Sequence, residues 1–213
     1  MGWVLLVLGI GTTATGWWLV RSRGVSVWRV MPPLYAALGV LAVIVGPPAA
    51  GRPRAWDGWI DGSLATSVAW AIASGIALYA ATRMAVSVLV RWEPFARQAI
   101  AQYEPAGAVS LATAVALSLA VVVGEELLWR FAVQQNLGVD AALAAGCTWI
   151  AYIVANLASG SMPIVASAVA GGAVWGLAAW LSGGALAPIL SHGAWTALML
   201  VVPPGPARGK MHA

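Results

Sequence analysis

Between Ala106 and Ala207 the chain carries only four charged side chains, Glu125, Glu126, Arg130 and Asp140. Uncharged, mostly apolar runs of this length match the hydrocarbon thickness of a bilayer when coiled as helices of about 20 residues. The whole chain follows the same rule, with 61% hydrophobic and 8% charged residues among 213 and a mean hydropathy of +0.85. A soluble core does not require that much apolar surface. The expected fold class is therefore all-α, a polytopic transmembrane helix bundle of about seven spans within a range of roughly six to eight. Little chain is left for a soluble domain, so a substrate must be met within or beside the membrane.

The spans fall at roughly 2–20, 30–50, 64–90, 108–136, 139–158, 163–181 and 184–202. The first run has no basic segment before it and no clear small-residue cleavage site after it, which predicts a retained helix rather than a signal peptide. Charge and proline end the first three spans, at Arg21-Ser22-Arg23-Gly24, Gly51-Arg52-Pro53-Arg54 and Arg91-Trp92-Glu93-Pro94. Trp17, Trp18, Trp56, Trp59 and Trp92 stand beside these connectors, where indole rings suit the headgroup layer. One integral membrane domain is expected over 1–213, with N-terminal helices and charged connectors to 107, a core over 108–202 and a flexible tail over 203–213.

With the N-terminus outside, the inner loops receive Arg21, Arg23, Arg29, Arg83, Arg91, Arg97, Arg208 and Lys210, and the outer loops receive Arg52 and Arg54. This bias predicts a cytoplasmic C-terminus. The net charge of +4 is scattered rather than gathered in a stripe, which argues against nucleic acid as a partner. Cys147 is the single cysteine, sits in an apolar run and reads as a small buried hydrophobe. Gly171, Gly172 and Gly176 include the four-residue spacing that lets helix backbones approach closely in lipid. Arginine exceeds lysine ten to one, and with abundant Ala and Gly this points to a GC-rich bacterial source and hence a plasma membrane.

An ionised side chain at the centre of a span costs about 2.5–3.5 kcal/mol on insertion scales, so three charges in the six residues from Glu125 to Arg130 mark a site by default. On a helix Glu126 and Arg130 share a face in the favourable order of acid before base, whereas Glu125 points about 100° away. That division leaves Glu125 to activate water and Glu126 to position Arg130. The same residues could instead be a buried ion pair that locks helix packing. Asn156, and His192 with Thr196 one turn on, add polar groups to the apolar half that can shuttle protons, donate to an oxyanion or orient water.

From about Leu111 to Leu200 the sequence resembles the CAAX protease and bacteriocin-processing (abortive infection) family of glutamic intramembrane proteases. Its Glu-Glu-x-x-x-Arg motif is matched by Glu125, Glu126 and Arg130. Its second motif, an aromatic residue followed four positions later by His, is matched at Tyr152 and departs at Asn156; its third, His-x-x-x-Asn, keeps His192 and has Thr196 for Asn. The Gly-rich stretch from Val169 to Leu181 stands between them, and Gly183 to Leu190 leads into His192. The resemblance implies a peptidase in which Glu125 activates the attacking water, His192 with Asn156 stabilises the oxyanion, and Glu126 and Arg130 hold the geometry.

Zinc needs three protein ligands, usually His, Cys or carboxylate, and only His192 and the two glutamates are suitably placed; His212 lies in the tail. No metal and no cofactor are expected. The partners expected are the lipid bilayer and a membrane-associated protein or peptide substrate. Two other functions stay open: a catalytically weak or inactive scaffold or regulator, favoured by Asn156 and Thr196, and a small proton-coupled transporter using Glu125 and His192, disfavoured because no inverted repeat is evident.

Overall fold

The computed structural model describes residues 1–45 and 64–204. The connector with Arg52, Arg54, Trp56 and Trp59, and the tail with Arg208, Lys210 and His212, lie outside the described residues. Within them the chain is all-helical: α1 Gly2–Arg23, α2 Val27–Val45, α3 Leu64–Leu89, α4 Glu93–Ala101, α5 Glu104–Gly107, α6 Leu111–Glu126, α7 Ala141–Leu157, α8 Met162–Ser182 and α9 Leu186–Val201. Five helical segments are long and apolar enough to cross a membrane, and α7 and α9 are shorter apolar helices. Among the described residues the expected count of about seven is thus matched by five segments of spanning length, α7 and α9 having 17 and 16 residues.

Local chemistry sets the ends. Asp140, the fourth charge of the C-terminal half, accepts hydrogen bonds from the backbone N–H groups of Ala142 (2.9 Å) and Leu143 (3.3 Å), which caps α7. Ser110 caps α6 in the same way through Thr113 N–H at 3.1 Å. Pro94 and Pro105 sit in the first turns of α4 and α5, where a missing N–H costs nothing. These two short helices occupy the segment read from sequence as a connector.

The long span expected over 108–136 changes period in the middle. Its α-helical part stops at Glu126, continues as a π-helical turn over Leu127–Val133 and closes with a 3₁₀ turn over Gln134–Asn136. Such π turns concentrate at functional sites. Here the turn directs Arg130 and Gln134 to α8, where Arg130 Nη2 donates to the Gly172 carbonyl (3.4 Å) and Gln134 Nε2 to the Gly176 carbonyl (3.0 Å). The small residues of α8 therefore expose backbone acceptors as well as permitting close packing.

Gly124 positions the acids. A Cβ there would collide with the backbone of Tyr35, so α2 can cross α6 at this level only because residue 124 has no side chain. The crossing brings Tyr35 beside Glu125. Gly124→Ala is expected to cost about 1–3 kcal/mol through overpacking, measured as a lowered midpoint of unfolding in detergent.

Candidate active site

Glu126 and Arg130 are 0% and 1% exposed, deeper than most of the apolar core. Arg130 Nε lies 3.3 Å from Glu126 Oε2, but the pair is not aligned as a hydrogen bond. Their attraction is therefore mainly Coulombic, and the guanidinium is further held over the Tyr152 ring, 4.6 Å from its centroid. The other oxygen, Oε1, meets His192 Nδ1 at 2.8 Å. That contact went unread in the sequence, which paired Glu126 only with Arg130.

Holding Nδ1 fixes the imidazole and leaves Nε2 as its other functional nitrogen. Trp175 stacks on the ring with centroids 3.5 Å apart and planes 14° from parallel. Trp195 closes edge-on against Trp175 at 5.7 Å. His192 is thus clamped in plane by aromatic packing and in rotation by a carboxylate.

Glu125 has a different environment. It lines a cavity of about 590 Å³ together with Tyr152, Asn156, His192 and Thr196. Tyr152 Oη donates to its Oε2 at 3.3 Å, Tyr35 is within its reach, and Tyr35 shares a 3.0 Å hydrogen bond with Thr13 of α1. Two phenols from different helices therefore orient one carboxylate whose neighbour in sequence is wholly engaged elsewhere.

Asn156 is also engaged: its Oδ1 accepts from Trp17 Nε1 at 3.1 Å and its Nδ2 donates to the Tyr152 carbonyl at 2.9 Å. One amide N–H is left over. Trp17, read from sequence as an interfacial ring, is instead part of the site. Trp18 and Trp92 are 46% and 54% exposed, and Arg23 lies over the Trp18 ring at 5.0 Å. Of the residues the sequence singled out, Glu125, Tyr152, Asn156, His192 and Thr196 meet around one cavity, and Glu126 and Arg130 stand directly behind it. Tyr35, Trp17 and Trp175 were missed.

Among the described residues no three His, Cys, Asp or Glu side chains are arranged to hold a metal ion. Glu126, the acid nearest His192, has both oxygens committed to Arg130 and His192. The donor set does not fit zinc.

Long apolar helices around a buried acid, imidazole and guanidinium define an integral membrane protein with a polar chamber inside its helical bundle. Residues 107–198, a little under half of the chain, match the family model described as type II CAAX prenyl endopeptidase Rce1-like, so this segment is similar to the CAAX protease family. The match supports a protease-type enzyme at the level of the family. No curated protein and no solved structure matches the chain.

Proposed function

We propose that the chain is an intramembrane endopeptidase in which Glu125 activates water against a peptide bond of a membrane-associated protein or peptide. The observation that carries this reading is the unequal use of the adjacent acids. Glu126 is buried and committed to His192 and Arg130, while Glu125 lines the cavity and is held only by the neutral phenols of Tyr152 and Tyr35.

Chemically, water bound at Glu125 gives up a proton to the carboxylate as its oxygen attacks the scissile carbonyl carbon. Glu126 at Nδ1 supplies the counter-charge for a doubly protonated His192, whose Nε2–H donates to the developing oxyanion. Collapse of the tetrahedral intermediate breaks the C–N bond as the proton on Glu125 passes to the leaving nitrogen. Tyr152 holds the Glu125 carboxylate, and Arg130 holds Glu126. The remaining Asn156 N–H and the Thr196 hydroxyl are available to orient the substrate carbonyl or the water. The family model is one of endopeptidases, which supports the reaction type. By the loop-charge bias, the C-terminus of this protein faces the cytoplasm of a bacterial cell.

The test is cleavage of membrane-anchored peptides by the purified protein in proteoliposomes, with a chelator present throughout. Site-specific cleavage that the chelator leaves intact supports the proposal, and loss of cleavage with chelator contradicts it. The scaffold reading draws on the engagement of Asn156 by Trp17. It makes a different prediction for Asn156→His. If the amide merely weakens an enzyme, the imidazole raises kcat severalfold; if wild type and variant are both inert while a membrane partner still binds, the protein is a scaffold.

A further inference from the structure

Trp17 reaches the chamber from α1, a helix outside the segment 107–198 that matches the family model. Its indole has one polar group, an N–H that donates and cannot accept. That N–H meets Asn156 Oδ1 at 3.1 Å, across the contact between α1 and α7. At the other end of the same amide, Nδ2 donates to the Tyr152 carbonyl, one helical turn back, at 2.9 Å. Thr13, one turn before Trp17 and fully buried, shares a 3.0 Å hydrogen bond with Tyr35, so two bonds from α1 fix its height against the chamber.

The two partners of Asn156 make the same demand. A donor-only group at one end and an acceptor-only group at the other allow a single orientation of the amide, because the flipped form sets N–H against N–H and oxygen against oxygen. Asn156 is 3% exposed, so bulk water does not relieve that clash. The Tyr152 carbonyl also serves the helical ladder of α7, which makes Trp17 the partner devoted to the amide. With its oxygen turned to Trp17, Asn156 keeps one N–H unspent in the wall that it shares with Glu125, His192 and Thr196.

We propose that Trp17 is a positioning residue: by holding Oδ1, it aims the unspent Asn156 N–H at the scissile carbonyl oxygen, together with Nε2–H of His192. This rests on reading the chamber as a peptide site. An amide donor does not titrate, so it adds a hydrogen bond to the developing oxyanion without competing with Glu125 for the proton of water. A phenyl ring at position 17 keeps apolar packing but frees Oδ1 to turn toward the chamber, where it repels the carbonyl oxygen.

The first readout needs no turnover. Membrane-anchored peptides, each with one isotope-labelled carbonyl, are bound to Glu125→Gln protein in nanodiscs and their infrared spectra recorded. One carbonyl stretch is expected to fall on binding and to rise again in Trp17→Phe. Asn156→Ala should raise it at least as far, and Trp17→Phe should add nothing in the Asn156→Ala background. A set in which no carbonyl answers to Trp17→Phe overturns the proposal. So does an answer that persists in full without the Asn156 amide, which would assign the effect to lost packing of the indole. In otherwise wild-type protein, Trp17→Phe is expected to lower kcat about tenfold with KM changed by less than about twofold. An unchanged kcat, or a loss confined to KM, overturns the proposal as well. Failure of wild type to cleave while a bound carbonyl still answers to Trp17→Phe through Asn156 counts against the peptidase reading and leaves the positioning by Trp17 standing.

Discussion

Glu125→Gln is expected to lower kcat by at least about 10²–10⁴-fold, the usual contribution of a positioned general base, with peptide binding and thermal stability close to wild type. The amide is nearly isosteric with the acid and can still accept from Tyr152 Oη, so the hydrogen bond seen at 3.3 Å has a replacement. What it cannot do is take a proton from water. The loss should appear in kcat rather than KM, measured in proteoliposomes with a peptide that wild type cleaves. Glu126→Gln is the informative contrast, because it removes charge from between Arg130 and His192 and should disturb stability as well as rate.

The largest effect on folding is expected from Arg130→Ala. Arg130 is 1% exposed and faces Glu126, which is 0% exposed. Removing one partner of a buried ion pair costs about 3–5 kcal/mol, because no water replaces the guanidinium and Glu126 keeps only His192 on its other oxygen. The variant also loses the contact to the Gly172 carbonyl and the packing over Tyr152. Reduced yield of folded protein and a markedly lower unfolding midpoint in detergent are expected. Arg130→Ala combined with Glu126→Gln should recover part of the stability without recovering activity. No recovery in the double variant would mean that lost packing, not an orphaned charge, causes the defect.

Legibility in the sequence followed cost. A charge in a span is so unfavourable that Glu125, Glu126 and Arg130 stood out from apolar surroundings, and His192, Asn156 and Thr196 stood out as polar groups without a solvent-facing excuse. Their convergence on one cavity could not be read, because Trp17 and Asn156 are 139 positions apart and only the crossing of α1 with α7 joins them. Trp17 looked like an interfacial indole since it neighbours a basic connector, while nothing in the sequence set Tyr35 and Trp175 apart from other aromatic residues. The π turn left no trace, because seven residues with one charge, Arg130, are too few to show a change of period. Pro94 and Pro105 did carry a signal for α4 and α5 as first-turn prolines, and charge in the same segment masked it. Gly124 has no distinguishing signal among the chain's many glycines, although its missing side chain is what admits Tyr35.

The most direct measurement of the central claim is a mass spectrum of the products formed by wild-type protein from a membrane-anchored peptide in heavy-oxygen water containing hydroxylamine. Attack by water activated at Glu125 predicts a single new C-terminal carboxylic acid carrying one heavy oxygen and no hydroxamate. A hydroxamate product would reveal a covalent acyl intermediate, and absence of any cleavage across peptides that bind would reveal no peptidase; either result contradicts the account.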